Sequence, residues 1–301
     1  MSFTAEVKAE LASVENESCC ALAQSYALLL FGRAFSGREI SLLTENRTVA
    51  EAYVNAVETL SGQTVKPTVT GAGNFKITVE DPAVTGKVLA AVGHDAAAKR
   101  RVNFAVLQNE CCFAAFIRGA FLACGTVTDP EKEYHLEFSV PVKGLCGDLM
   151  KLFDEFEPVP KMTERAGAYI LYFKNSTDIE DVLTLMGATE CSMGVMGAKA
   201  IKSIKNTVNR KVNFENANLR RTVDAANRQR DAIAYIQKKH GFDALPEELR
   251  ELARLRFENE ELSNAQLAKM LPESITASGV NHRFSRIIRI AEQWKEKDKK
   301  Q

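Results

Sequence analysis

The chain has 301 residues, 46% of them hydrophobic, with 39 Lys+Arg against 39 Asp+Glu. That length suits about two domains, and the composition excludes a disordered or low-complexity protein. Apolar runs such as "YALLLF" fall far short of the roughly 20 residues of a membrane helix, and "MSFTAEVKAELASVE" has no basic stretch leading into an apolar one, so a cytoplasmic protein without membrane contact is expected.

Residues 19 to 190 read as a repeated unit. An apolar helix, "CCALAQSYALLLFG", is followed by a strand ("REISLLT"), an amphipathic helix ("TVAEAYVNAVETLSG"), two strands ("TVKPTVTG" and "NFKITVE") and a short helix ("DPAVTGKVLAAVG"). After the basic break "KRRVN" the order returns, as helix ("NECCFAAFIRGAFLACG"), strand ("YHLEFSV"), helix ("VKGLCGDLMKLFDEF"), two strands ("KMTERA" and "YILYFKN") and helix ("DIEDVLTLMG"). The repeats span about 19–98 and 108–188, with Gly32 and Gly125 at equivalent ends. The first helix of each repeat is hydrophobic nearly all round and must be surrounded by protein. Ala115, Gly119 and Ala123 recur every four positions, and Ala23 and Ala27 give the other helix a similar face, so the two helices can cross closely at a pseudo-dyad. The terminal glycines are expected to close the helices in the left-handed conformation.

Seven cysteines (19, 20, 111, 112, 124, 146 and 191) contain no CxxC pair, and the histidines at 94, 135, 240 and 282 are scattered. Reduced thiols serving mostly as small core residues are expected, with no metal and no cofactor.

The balanced charge hides an asymmetry. Residues 1–198 hold 17 Lys+Arg against 25 Asp+Glu, whereas residues 199–301 hold 22 against 14, which points to a polyanion as the partner of the last third. A basic helical connector over 191–241 ends at Gly241, and "LPEELRELARLRFEN" starts a helix at Pro246 with Leu249, Leu252, Ala253 and Leu255 to Phe257 inside. Ser263 followed by Gln266 is a capping box, Pro272 stops the helix it opens, and a second helix should begin near Thr276 or Ser278. Short helix, brief turn and longer helix over 242–301 make a helix-turn-helix, which places its second helix in a major groove. On that helix Val280, Phe284, Ile287, Ile288 and Ala291 share one arc, opposite Ser278, His282, Ser285, Arg286 and Arg289, with Asn281 and Arg283 on the flanks. Arginine can take guanine edges bidentately, Asn adenine, and Ser or His either bases or phosphates. Lys202, Lys205, Arg210, Lys211, Arg220 and Arg221 on the long helix are candidates for backbone contacts.

"RGAFLACGTVTDPEKEYHLEF", "NFENANLRRTVDAANRQRDAIAYIQ", "LPEELRELARLRFEN" and "SITASGVNHRFSRIIRIAE" together resemble the WhiA family of bacterial sporulation and cell-division transcription regulators. The resemblance implies an α+β chain. Its N-terminal part, 1–190, would be a pseudo-twofold α/β domain like a LAGLIDADG homing endonuclease, with two motif helices and a saddle-shaped sheet, and its C-terminal part an all-α helix-turn-helix domain similar to those of sigma factors. It further implies cytoplasmic, nucleoid-associated DNA binding, with double-stranded DNA and other transcription regulators or RNA polymerase as partners. A working LAGLIDADG enzyme ends each motif helix in an acid before the last glycine, where paired carboxylates hold divalent cations. Here Phe31 precedes Gly32 and Cys124 precedes Gly125, so no catalytic residue and no enzyme activity are expected. Glu39, Asp129, Glu131 and Glu133 lie beyond the tips. The rival readings are a metal-dependent DNA endonuclease, and a ligand- or protein-binding module with only non-specific DNA affinity. Lys99, Arg100 and Arg101 between the repeats offer either a local basic patch or a solvated linker.

Overall fold

The computed structural model describes residues 2–95 and 99–299. Two compact units divide between Ile204 and Lys205.

The first unit opens with α1 (Phe3–Ala12), followed by α2 (Ser18–Leu30), β1 (Ala34–Phe35), β2 (Ile40–Thr44), α3 (Arg47–Ser61), β3 (Thr68–Val69), β4 (Phe75–Val79) and α4 (Pro82–Ala91). The same order then repeats as α5 (Glu110–Cys124), β5 (Gly125–Val127), β6 (Leu136–Val140), α6 (Lys143–Phe153), β7 (Lys161–Arg165), β8 (Ala168–Phe173) and α7 (Ser176–Met186). Each half builds a four-stranded antiparallel sheet of identical order, β1-β2-β4-β3 and β5-β6-β8-β7. Alternation sets the inner faces: Ile40, Leu42, Ile77 and Val79 are buried in one sheet, and Leu136, Phe138, Val140, Leu171 and Phe173 in the other. The expected repeat is therefore present. The helix α1 and the short strands β1 and β5 are additions to it.

The centre of this unit is the crossing of α2 and α5. Ala23, Ala27, Ala115, Phe116, Ile117 and Ala120 are fully buried there. Gly119 faces α2 so closely that an added Cβ would sit 2.9 Å from the Ala27 Cβ and closer still to the Gln24 carbonyl oxygen. Arg118 is also buried at the crossing. Its guanidinium donates to the Gln24 side-chain oxygen at 2.7 Å, to the Met186 carbonyl at 2.8 Å and to Asn16, so the charge is met by three acceptors.

The expected left-handed ends do not occur. Gly125 is extended (φ −84°, ψ 147°), and Gly32 is not among the positive-φ residues. Both are glycine because of space: a Cβ on Gly32 would meet the Ser41 carbonyl oxygen at 2.8 Å, and one on Gly125 would enter the Phe121 ring. The helix α5 runs directly into β5 at Gly125, whereas Phe31, Gly32 and Arg33 lie between α2 and β1.

The unpredicted α1 ties the unit together. Ser2 caps it, Val7 and Leu11 are buried, and Thr4 exchanges hydrogen bonds with the Val127 backbone at 2.7 and 2.9 Å. Glu10 accepts from the Glu190 and Cys191 backbone N–H groups at 2.7 and 3.0 Å, which caps the start of the next helix.

That helix, α8 (Thr189–Lys239), begins in the first unit and ends in the second. From Lys205 onward this helix falls within the second unit. Ala232, Ile233 and Ile236 join the core of α9 (Glu247–Glu258), α10 (Asn264–Met270) and α11 (Ala277–Asp298). On α9, Leu249, Leu252 and Ala253 are inside as expected. Phe257, expected inside, is 47% exposed, and Arg256 takes the buried position.

Candidate nucleic-acid interface

The helix-turn-helix is assembled by its caps. Ser263 accepts from the Gln266 N–H while the Gln266 side chain accepts from the Ser263 N–H, closing a complete capping box on α10. Leu271 leaves the helix extended ahead of Pro272, and Thr276 caps α11 by accepting from the Gly279 N–H. Ser263→Ala removes the first cap and is expected to lower the stability of the C-terminal unit by about 1 kcal/mol in urea unfolding.

Beneath the turn lies Arg256, 2% exposed. It donates to the Leu262 carbonyl and to the Asn264 side chain, and its guanidinium sits 5.2 Å from the centre of the Phe284 ring. One buried side chain thus joins α9, the loop before α10, α10 itself and α11. Burial lowers its pKa, as does the neighbouring Arg230.

On α11, Val280, Phe284, Ile287 and Ala291 are buried and Ile288 is half-buried, while Ser278, Asn281, His282, Ser285 and Arg289 are exposed. From Ala277 to Ala291 this helix contains no Asp or Glu. Two expected readers are engaged within the protein. Arg283 is half-buried, bonded to the Glu273 carboxylate and to the Glu248 carbonyl, and so braces the turn instead of lying on the outer face. Arg286 pairs with Glu248 at 2.5 Å, and that hydrogen bond and charge, with Arg283 adding, hold the Glu248 carboxyl below its usual range. Asn281 accepts from Asn264, which fixes its amide. Among the described residues Arg289 enters no ion pair.

On α8, Lys205, Arg210, Lys211, Arg220 and Arg221 are exposed. Lys202 is not a projecting cation: its ammonium lies 4.4 Å from the Tyr134 ring and donates to the Lys132 carbonyl at 3.3 Å.

The motif tips carry no carboxylate. Phe31 is buried with its ring edge-on to Phe116, and Cys124 donates to the Ala120 carbonyl at 3.3 Å. Burial pushes the Cys124 thiol up to about 12, against the opposing influence of Lys8 and Arg100. In the basic break between the repeats Lys99 is exposed, while Arg100 and Arg101 are engaged within the protein. The Arg100 guanidinium caps the end of α2, donating to the Leu30, Gly32 and Arg33 carbonyls. Arg101 grips buried Asp148 of α6 at 2.5 and 2.6 Å. Burial works to raise the Asp148 carboxyl, but bonds from Arg101 and from the Val102 N–H outweigh it and hold its pKa low. Asp129 accepts from the Glu131 N–H and shapes the turn after β5, and Glu39 is half-buried beside β2.

The seven cysteines are free thiols, and four of them come together. Cys19 and Cys20 on α2 meet Cys111 and Cys112 on α5, with all four sulfur atoms within 4.8 Å of one another. Spacing rules overlooked them because each helix supplies an adjacent pair and the pairs lie 92 residues apart. The available signal was the recurrence of "CC" at the same place in both repeats. Burial pushes Cys20 up to about 12, with Cys111 and Cys19 adding, and also raises Cys112. At Cys19 hydrogen bonds from Cys111, Cys20, Cys112 and Asn109 outweigh burial and hold the thiol below its usual range.

Residues 113–205 match the family model of the WhiA LAGLIDADG-like domain, and residues 208–291 that of the WhiA C-terminal HTH domain. A probable cell division protein WhiA of Alkaliphilus oremlandii is 36% identical over 311 aligned residues, covering 97% of each chain. The protein of that name from Bacillus subtilis is 34% identical over 313, again covering 97% of each. The crystal structure of full-length WhiA from Thermatoga maritima superposes with a TM-score of 0.59 at 26% identity, covering 97% of this chain and 99% of that one. With both domain models matched in order, and relatives above 30% identity aligned from end to end, the chain belongs to the WhiA family.

Proposed function

We propose that the chain is a sequence-specific, double-stranded-DNA-binding transcription regulator of sporulation or cell-division genes, acting in the cytoplasm at the nucleoid. The single observation that carries the reading is α11: an acid-free outer face of hydrogen-bonding side chains on a helix held by a capped turn and a buried arginine. Ser278, Asn281, His282, Ser285 and Arg289 are the residues placed to meet bases or phosphates, with Arg286 joining them once it leaves Glu248. The exposed cations of α8 supply backbone contacts. Other transcription regulators or RNA polymerase complete the assembly. Among the described residues no helix is long and apolar enough to cross a membrane.

Mapping bound sites across the genome and measuring affinity by fluorescence anisotropy against the recovered sequence tests this. Arg289→Ala is expected to weaken specific binding by roughly 1 to 3 kcal/mol if it reads a base, or to weaken all sequences evenly and reduce the salt slope by about one if it holds a phosphate. Glu248→Gln frees Arg286 and is expected to tighten binding and steepen the salt slope by about one. Unchanged affinity in both variants would refute the assignment of α11.

Loss of nuclease activity is the second part of the proposal. Hydrolysis through divalent metals needs hard oxygen ligands at both tips. Here the first tip carries a phenyl ring and the Arg100 guanidinium, and the second a thiol raised by burial, with Lys8 nearby. Supercoiled plasmid incubated with Mg²⁺ or Mn²⁺ is expected to stay intact. Nicking abolished by Glu39→Gln or Asp129→Asn would overturn this part.

A further inference from the structure

We propose that Cys19, Cys20, Cys111 and Cys112 form a tetrahedral four-thiolate site for a single zinc ion, which staples the start of α2 to the start of α5. The geometry fits one ion and not a cluster. Tetrahedral zinc with Zn–S bonds of about 2.3 Å places its sulfurs about 3.8 Å apart. The Cys19 sulfur lies 3.9 Å from both Cys20 and Cys111, and no pair of the four exceeds 4.8 Å. An iron–sulfur cluster needs a wider frame, because several irons and bridging sulfides stand between its cysteines.

The folding pattern makes the site. Consecutive residues on a helix fan about 100° apart. An adjacent pair therefore offers two sulfurs in different directions instead of bonding to itself. Two helices meeting at their starts, each with such a pair in its first turn, provide four corners. The pairs occupy the second and third positions of α2 and of α5 alike, so the pseudo-dyad that crosses the helices also places the sulfurs.

The charge is provided for as well. Binding releases the thiol protons to solvent and leaves a net double negative charge on the metal and four thiolates. That charge sits at two helix N-termini, whose dipoles favour it. Neither N-cap, Glu17 or Asn109, closes its first turn with a side-chain hydrogen bond. Soft sulfur ligands select zinc over magnesium or calcium. Exposed Cys111 gives the ion a way in, while buried Cys20 and Cys112 hold its far side.

The test uses the full chain purified without chelator in a non-thiol reductant. Elemental analysis is expected to find one zinc per chain. Cobalt added to stripped protein is expected to give the visible bands and the sulfur-to-cobalt charge transfer of a tetrathiolate site. Cys19→Ser and Cys111→Ser should lose the zinc, while Cys191→Ser should keep it. Stripping the metal should lower the first thermal transition. Since either serine variant at the cluster could fail to fold, the cobalt titration of the unaltered chain is decisive. Absence of both zinc and tetrathiolate bands, iron in its place, or full zinc retention in folded Cys19→Ser and Cys111→Ser would each overturn the proposal.

Discussion

Gly119→Ala is expected to destabilise the N-terminal unit by about 3 kcal/mol, the upper range for overpacking a core. Alanine normally favours a helix interior, so propensity alone predicts the opposite sign. Packing wins because the new methyl meets the Gln24 backbone oxygen and the Ala27 Cβ, neither of which can rotate away. The helices must separate, and the fully buried Ala23, Ala27, Ala115 and Ala120 would lose close contact together. Gly86 supplies the control: it lies inside α4 with nothing near its would-be Cβ, so Gly86→Ala should stabilise by about 0.5 to 1 kcal/mol. Urea unfolding followed by circular dichroism reads both. Equal effects at the two positions would show that the close approach of α2 and α5 is not what demands glycine.

Arg256→Ala is expected to cost the C-terminal unit about 3 kcal/mol, the order for losing charge-assisted hydrogen bonds and leaving their buried neutral acceptors unmet. The change leaves the Leu262 carbonyl and the Asn264 side chain without their donor and opens a hole beside Phe284. Asn264 in turn holds Asn281, so the damage should reach the outer face of α11 without touching it. Arg256→Lys should recover only part of the loss, since a compact ammonium cannot reproduce the planar fork that spans the two acceptors and stacks near the ring. Thermal unfolding measures the stability change, and DNA anisotropy well below the lowered transition separates folding from contact. A lysine variant as stable as the parent would show that charge alone suffices there.

Much of this architecture is legible in residue patterns. Alternating apolar positions place the sheet strands, the all-round apolar helices mark the buried crossing, and Ser263 with Gln266 announces the start of the helix-turn-helix. What escapes pattern reading is long-range. Arg256 falls within the expected inner stretch Leu255 to Phe257, but its role shows only when the loop carbonyl and the Phe284 ring are brought around it. Arg100 and Arg101 read as either a local basic patch or a solvated linker until Leu30, Gly32 and Asp148 are brought to them. Glycine at the motif ends is visible, but its reason is not, because the neighbours that exclude a side chain come from other elements. Arg283 and Arg286 fall on or beside the expected outer arc, yet the acids that engage them lie on α9 and in the turn. In each case the local signal specifies the element and the distant partner decides what the side chain does.

The paired arginines at the seam also bear on how such a molecule could be divided. Arg100 serves the first repeat by lidding α2, and its neighbour Arg101 serves the second by neutralising Asp148. A fragment ending before them would leave three carbonyls bare, and one beginning after them would bury an orphan acid. A break between Arg100 and Arg101 would leave each half its own arginine, whereas a break on either side of the two would strip one half of the cation that its own fold relies on.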